Sequence, residues 1–194
     1  MQHILGLVGS PRKGGNTELL MERVLEAARE EGAATTLFTV AGRTIMPCTA
    51  CASCVRDPSG RCVQQDDMTE LYPLLEWADA IVFGTPVYLN SMTAQLKAVL
   101  DRMRPLWWMG RKLSGKVIAV VTVGAARWGG QEVAATHVLA CALNHGMMLA
   151  GSPSDAGWQV CAVGRDPGVV LQDTRALEAA RDLGRRLAQL SLGD

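Results

Sequence analysis

Four cysteines lie close together in the first third of the chain, which has 194 residues and six cysteines in all. Cys48, Cys51, Cys54 and Cys62 follow the spacing C-x2-C-x2-C-x7-C. Four thiolates are the ligand set of a tetrahedral metal ion or of an iron–sulfur cluster. The spacing therefore predicts a metal-ligating loop over about residues 43–67. A 4Fe–4S cluster is the interpretation that we favour.

Other interpretations of the cysteine loop stay open. Bacterial ferredoxins share the C-x2-C-x2-C core, but here Cys62 follows after seven residues, with Pro58 and Gly60 between to turn the chain back. Zinc is the second interpretation, although zinc sites favour separated C-x2-C pairs. Disulfides are the third, and thiols without a ligand are the fourth. A reducing compartment would disfavour disulfides.

Composition bears on the compartment and on the partners. Lysine plus arginine and aspartate plus glutamate are equal at 19 each, and the isoelectric point is near 6.8. This balance predicts neither nucleic acid nor a membrane surface as partner. The first residues run directly into a strand pattern without a signal peptide, and the longest apolar run is too short to cross a bilayer. We therefore expect a cytoplasmic protein with reduced thiols.

A second loop, GSPRKGGNT, has the composition of a phosphate site. Glycines let the backbone fold around an anion, hydroxyl and amide side chains donate, and an arginine can hold a phosphate with two hydrogen bonds. A helix that starts after the loop adds its free amides and its dipole. The candidate residues are Ser10, Arg12, Gly15, Asn16 and Thr17. The fingerprint G-x-G-x-x-G is absent, which argues against a dinucleotide on this loop. A glycine turn with an ordinary capping residue is the alternative.

Two further loops are expected to lie beside a planar ring. The first follows the third predicted strand with Thr85, Pro86, Val87, Tyr88 and Ser91, and the second follows the fourth with Gly124, Gly129, Gly130 and Gln131. Val87 and Tyr88 can offer backbone amides and an aromatic edge, and the glycine pair allows close backbone approach. Together with the phosphate loop they predict a mononucleotide with a flat base, and FMN is the cofactor that we expect.

Apolar runs that alternate with helical patterns predict how these loops are placed. Strands are expected at residues 3–9, 35–40, 80–86, 116–124 and 147–151, and helices at about 16–31, 67–77, 91–104, 131–145 and 174–190. The fold class is α/β: a flavodoxin-like three-layer sandwich with a five-stranded parallel sheet of order 2-1-3-4-5 and helices on both faces. We expect a single domain over residues 1–194. All of the loops named above then leave the carboxyl edge of the sheet, with the cysteines on the cofactor side.

The motifs also carry a family resemblance. GSPRKGGNT, the cysteine motif running into CVQQDDM, GTPVYLNSMTAQLKAVLDR and WGGQE resemble the iron–sulfur flavoproteins of the NADPH-dependent FMN reductase superfamily. The resemblance implies FMN on Ser10, Arg12, Asn16 and Thr17, its ring against Pro86–Tyr88 and Gly129–Gln131, and a 4Fe–4S cluster on the four cysteines. It also implies a homodimer or homotetramer in which each cluster faces a neighbour's flavin. The chain departs from the family at Arg127-Trp128 and Trp107-Trp108-Met109, which we expect near the flavin pocket.

The resulting functional hypothesis is an electron-transfer flavoprotein. It is reduced by a one-electron donor such as ferredoxin and reduces oxygen, peroxide or a quinone. No side chain is required as a catalytic acid or base, because the cofactors carry the chemistry. One alternative is an NAD(P)H-dependent FMN or quinone reductase whose cysteines hold zinc or no metal. Another is a non-catalytic redox sensor.

One helical stripe is a weaker candidate for a metal site. His137, Cys141 and His145 recur at i, i+4 and i+8 and so share a helix face. Core or interface packing is the interpretation that we favour for this stripe.

Overall fold

A parallel sheet carries all the loops that the sequence singles out. The structure, a computed structural model, describes residues 1–153 and 157–190. The strands are β1 (His3–Val8), β2 (Ala34–Thr39), β3 (Ala80–Pro86), β4 (Val117–Gly124), β5 (Met148–Leu149) and β6 (Val160–Val163). Their order is β2-β1-β3-β4-β5, with β6 also paired to β4, and all named pairs are parallel. The predicted order 2-1-3-4-5 is confirmed.

Helices cover both faces of this sheet. They are α1 (Asn16–Glu30), α2 (Ser53–Arg56), α3 (Met68–Trp77), α4 (Ala94–Arg102), α5 (Arg104–Trp108), α6 (Gln131–Asn144) and α7 (Thr174–Gln189), with a 3-10 turn at Val169–Gln172. The helix predicted over about 91–104 corresponds to α4, and the short helix α5 follows it directly. Thr93 caps α4, since its Oγ1 accepts a hydrogen bond from the Leu96 amide at 3.1 Å. Pro105, in the first turn of α5, has no amide hydrogen with which to continue the hydrogen bonding of α4.

The fifth strand position differs from the prediction. Only Met148 and Leu149 of the predicted segment pair with β4, at its beginning, whereas the second half of β4 pairs with β6. Gly151 and Pro153 interrupt the first segment, since neither residue supports a continuous strand. The rest of β4 is then completed by the run Val160–Val163, which the sequence analysis missed. The sheet therefore has six strands rather than five.

Two apolar layers hold the sheet between the helices. Alternate residues of each strand point to opposite faces, so Ile4 and Val8 pack with α1 and α7 while Leu5 and Leu7 pack with α3, α4 and α6. Burial on both faces explains the continuous apolar strands. No helix in the described part of the chain has both the length and the apolar character needed to cross a membrane.

The contact between α1 and α7 gives a direct test of this packing. A Cβ atom at Gly184 of α7 would lie 2.2 Å from the Val24 carbonyl oxygen of α1. We expect Gly184→Ala to lower the free energy of unfolding by about 1–3 kcal/mol, because the helices would have to move apart. Thermal and urea unfolding measure the effect. Gly151→Ala is the matched control, since its Cβ would meet only atoms at 3.9 Å or more. Equal stability of the two variants would contradict this packing.

Candidate functional site

An open cleft lies where β1, β3, β4 and β6 end. The space at this cleft amounts to about 680 Å³, which includes its opening to solvent. Its lining includes the predicted residues Ser10, Arg12, Gly15, Asn16, Thr17, Pro86, Val87 and Tyr88. It also includes Val123, Ala125, Gly164 and Arg165, which the sequence analysis missed. The loops predicted to face a mononucleotide after β1 and β3 therefore meet in one place.

The loop between β1 and α1 has the donors that a phosphate needs. Ser10 and Thr17 are 3% and 2% exposed, and the Ser10 Oγ accepts a hydrogen bond from the Arg12 amide at 3.2 Å. Gly15 is the N-cap of α1, so the amides of Asn16 and Thr17 have no partner within the helix. Arg12 lines the cleft from an exposed position. Hydroxyls, amides, a helix dipole and a cation thus surround one point, which fits a phosphate monoester.

Asn16 has a different role from the one predicted for its side chain. Its Nδ2 donates to the carbonyl oxygens of Gly164 at 2.9 Å and Asp166 at 2.8 Å, and its Oδ1 accepts from the Val170 amide at 3.4 Å. The side chain therefore ties the loop after β6 to the phosphate loop. This contact places Gly164 and Arg165 in the cleft wall. The signal for them in the sequence was the apolar run Val160–Val163, which ends at this edge of the sheet.

We expect Asn16→Ala to loosen the loop after β6 because three hydrogen bonds are lost together. The stability should fall by about 1–3 kcal/mol, and proteolysis within residues 164–170 should become faster. Urea unfolding and limited proteolysis with mass spectrometry measure both effects. Asn144→Ala, at the exposed end of α6, is the control and should change neither. An unchanged cleavage rate would mean that Asn16 does not hold this loop.

The loop after β3 corrects one expectation. The Val87 amide donates to the Val123 carbonyl at 2.9 Å, and the Tyr88 amide donates to the Ser91 carbonyl at 2.9 Å. Neither amide is therefore available to a ring, contrary to the prediction. The chain turns tightly after Tyr88 with Leu89 and Asn90 at φ values of 47° and 59°. The loop offers side chains to the cleft instead, and Tyr88 is half-exposed there.

The remaining predicted residues shape the cleft from outside its lining. These are Thr85, Ser91, Gly124, Gly129, Gly130 and Gln131. The Gln131 side chain is buried, and its Nε2 donates to the Ala126 carbonyl at 2.8 Å. A Cβ at Gly130 would lie 2.2 Å from the Asn90 Oδ1, so this glycine permits two protein loops to meet. Gln131 and the exposed Trp128 line a neighbouring cavity, and Trp107 and Trp108 lie outside the cleft lining.

The four cysteines of the predicted motif line one cavity, which we call the cysteine cavity. Its space amounts to about 320 Å³, which includes its opening to solvent, and Arg102, Arg104 and Pro105 also line it. Ala50 and Ala52, between the first three cysteines, have φ values of 54° and 58°. This left-handed conformation is unfavourable for residues other than glycine and tends to occur at functional sites. The local turns bring all four thiols of the motif to the same cavity.

The thiols of this cavity interact electrostatically. Burial raises the pKa of the Cys54 thiol, the nearby Arg104 opposes this, and Cys62 and Cys48 raise it further. At the exposed Cys51 the pKa is lowered, because its sulfur lies 3.4 Å from the Ser53 hydroxyl. The raised pKa of Cys54 indicates that Cys48 and Cys62 lie close enough to influence its ionisation. A bound cation would remove their mutual repulsion.

The four thiols can be compared with the ligand sets of different metal groups. Within residues 1–153 and 157–190, no three His, Cys, Asp or Glu side chains converge closely enough to hold a metal ion. A zinc site needs four ligands about 2.0–2.3 Å from one point. A 4Fe–4S cubane binds each thiolate at a different iron, so its four sulfurs stand further apart around a larger volume. Four thiols that line one cavity supply the number of ligands that such a cluster needs.

The three residues of the helical stripe on α6, His137, Cys141 and His145, differ in their burial. His137 is exposed, and its Nδ1 lies 3.0 Å from the Ser91 hydroxyl. His145 is buried with its ring edge-on to Trp107 at 5.9 Å, and burial lowers its pKa. Cys141 packs at the border of the core. The described residues therefore favour the packing interpretation.

The cysteine cavity and the cleft are separate within one chain, which corrects the expectation that both lie at one edge. They share no lining residue. Thr93, just before α4, is at the carboxyl edge, since its hydroxyl donates to the Gly9 carbonyl at 2.5 Å. Arg102, at the other end of this nine-residue helix, walls the cysteine cavity. At 1.5 Å per residue, the two ends of α4 lie roughly 13 Å apart.

The sheet order and the phosphate-binding loop at its carboxyl edge define a flavodoxin-like protein with a mononucleotide site. The family model described as NADPH-dependent FMN reductase matches residues 2–157. The chain therefore belongs to the NADPH-dependent FMN reductase family, a family of flavin-dependent oxidoreductases, and this membership supports FMN as the flavin.

Comparison with individual relatives shows which members of the family the chain resembles. An iron–sulfur flavoprotein of Methanocaldococcus jannaschii is 38% identical over 188 residues, which cover 96% of each chain. An iron–sulfur flavoprotein of Methanosarcina thermophila is 40% identical over 154 residues, 79% of this chain and 80% of that protein. The chain thus groups with the iron–sulfur flavoproteins of the family. The crystal structure of a WrbA-like flavodoxin protein from Agrobacterium tumefaciens has a TM-score of 0.68 at 22% identity, covering 97% of this chain and 96% of that one, and supports the fold.

Proposed function

We propose that this protein transfers electrons from a one-electron donor, such as a ferredoxin, to a small acceptor such as oxygen, peroxide or a quinone. FMN in the cleft and a 4Fe–4S cluster in the cysteine cavity would supply the chemistry, since a flavin exchanges one or two electrons and a cluster exchanges one. The observation that carries the proposal is a single chain with four thiols around one cavity and a phosphate-binding loop at a separate cleft.

The residues of the cleft bind and orient rather than exchange protons. Arg12 and the first amides of α1 would hold the phosphate, and Tyr88 and Val123 would form walls beside the ring. Among the described residues that line the cleft, none is a histidine, a lysine, a cysteine or a carboxylate, and Tyr88 is the one with a phenol that could exchange a proton. This composition supports electron transfer over a mechanism that needs a catalytic acid or base.

The cysteine loop supplies ligands and a partly closed environment. Cys48, Cys51, Cys54 and Cys62 would each bind one iron, and the wall from Arg102 to Pro105 would limit access of water to the cluster. Hydrogen bonds, net charge and solvent exposure set the potential of such a cluster. The residues of this loop and its wall would therefore set the reduction potential of the cluster.

The separation of the two sites in one chain supports a homodimer or homotetramer as part of the proposal. In such an assembly the cysteine cavity of one chain would lie near the cleft of another, which would shorten the path of the electron. Light scattering of the holoprotein measures the mass in solution. A monomer with fast electron transfer between the two cofactors would contradict this part of the proposal.

NAD(P)H as the direct electron source is the second candidate, because the family model that matches the chain is that of the NADPH-dependent FMN reductases. Stopped-flow mixing of the oxidised holoprotein with reduced ferredoxin or with NADPH distinguishes the two. We expect ferredoxin to bleach the flavin and cluster absorbance, and NADPH to react much more slowly. Rapid bleaching of the flavin by NADPH alone would favour the second candidate.

A further inference from the structure

Arg102 fastens both ends of the cysteine loop to the end of α4. Its Nη1 donates to the Met46 carbonyl at 2.8 Å and to the Asp66 Oδ2 at 2.7 Å, and its Nη2 donates to the Asp66 Oδ1 at 3.0 Å. Met46 precedes the first cysteine of the motif, and Asp66 follows the last. The side chains of Arg102 and Asp66 are 1% and 6% exposed, so this is a buried ion pair.

The pair is ionised. Burial opposes the charge of Asp66, but hydrogen bonds from Arg102 and from the Met46 and Met68 amides outweigh it, and the pKa of Asp66 is lowered. A bidentate pair of this kind holds the guanidinium in a fixed orientation. The charge of Arg102 therefore stays in place beside the cysteine loop.

One nitrogen of this guanidinium takes no part in the hydrogen bonds to Met46 and Asp66. The Nε of Arg102 is buried and has no hydrogen-bond partner among the described residues. An unsatisfied buried donor on a charged group is costly. Arg102 borders the cysteine cavity together with Arg104 and Asp101, whereas its own carboxylate partner, Asp66, stands outside the lining.

We propose that Arg102 is a buried counter-ion of the cysteine cavity, where it donates its Nε–H to a sulfur of an anionic, thiolate-ligated iron–sulfur cluster and raises the reduction potential of that cluster. This inference rests on the function proposed above. Reduction adds one electron from the protein donor to the cluster, and no bond to Arg102 forms or breaks. A buried cation and a donated hydrogen bond both stabilise the more negative, reduced form.

The test compares reduction potentials of the anaerobically purified holoprotein. Arg102→Lys keeps the charge but lacks the Nε donor of arginine. The double variant Asp66→Asn with Arg102→Gln removes both charges of the pair and leaves no unpaired buried ion. Arg23→Gln, in a surface pair with Glu26 on α1, is the control for loss of a remote cation. Redox titration followed by visible absorption and electron paramagnetic resonance gives the potential. Iron content, FMN content and circular dichroism check the cofactors and the fold.

We expect the double variant to shift the reduction equilibrium at least tenfold toward the oxidised cluster, about 59 mV for a one-electron couple. Arg102→Lys should shift it less, and Arg23→Gln should leave it unchanged. If the double variant lost its iron while the Arg102→Lys variant kept it, this result would also support the role of the charge. Unchanged potentials in both Arg102 variants would overturn the inference, and so would equal loss of iron from both. Arg102 would then serve only to hold the two ends of the cysteine loop. Absence of iron from the unsubstituted protein would instead contradict the proposed function itself.

Discussion

Replacing Cys54 with alanine is expected to lower the iron content of the anaerobically purified protein from about four atoms per chain to fewer than one. Cys54 lines the cysteine cavity together with the three other cysteines of the motif, and the charges of Cys62 and Cys48 contribute to raising its pKa. A cubane that loses one of four thiolate ligands exposes an iron to solvent and to exchange. The FMN content should stay the same, because no residue of the cysteine cavity lines the cleft.

Iron, acid-labile sulfide and FMN per chain, together with the visible spectrum, measure this effect. Cys161→Ala is the matched control, because Cys161 is a partly buried thiol that faces a different cavity, near Gln159 and Thr122. Its variant should keep both iron and flavin. If Cys54→Ala kept its iron, or if Cys161→Ala lost it, the cysteine cavity would not be the iron site.

Arg12→Gln is expected to weaken FMN binding by about 10- to 100-fold. Arg12 is a cation of the phosphate loop that lines the cleft, and a charged hydrogen bond to an anion contributes about 1.5–3 kcal/mol. Each 1.4 kcal/mol corresponds to about a tenfold change in the dissociation constant. Titration of the flavin-free protein with FMN, followed by quenching of flavin fluorescence, measures the constant.

Lys13→Gln is the control for Arg12, since Lys13 is the adjacent exposed cation and lies outside the cleft lining. The two variants lose the same charge from the same loop. A specific phosphate contact predicts a large loss of affinity for Arg12→Gln and at most a few-fold loss for Lys13→Gln. Equal effects would mean that the loop attracts FMN only through its overall charge. A second titration at high salt, which screens exposed charges, separates these two explanations.

Local patterns were sufficient to predict the sheet and the loops that leave it. Residues that are apolar on both faces of β1, β3 and β4 marked the central strands, and the glycines and hydroxyls after β1 marked the phosphate loop. The spacing of the cysteines likewise predicted that the four of them would face one site. In each case the residues that act together are near in sequence, so the pattern carries the information.

The features that sequence reasoning missed depend on contacts between distant segments. Gly164 and Arg165 reach the cleft only because β6 completes β4 and Asn16 ties down the next loop. The amides of Val87 and Tyr88 are occupied because Val123 and Ser91 happen to lie opposite. No local pattern reports such pairings.

The position of the cysteine cavity is a second example. The loop leaves β2 at the carboxyl edge, which predicted a site beside the cleft. The buried pair between Arg102 and Asp66 instead holds the loop against the far end of α4. These residues are far apart in sequence, and each is an ordinary charged residue by type. Their burial, which gives the pair its role, is visible only in the folded chain.

The cofactor content of the protein purified without oxygen is the decisive measurement. We expect flavin bands over a broad iron–sulfur absorption, with about one FMN and about four iron atoms per chain. Flavin with zinc, or flavin with no metal, would contradict the cluster and favour an NAD(P)H-dependent reductase whose cysteine loop has a structural role.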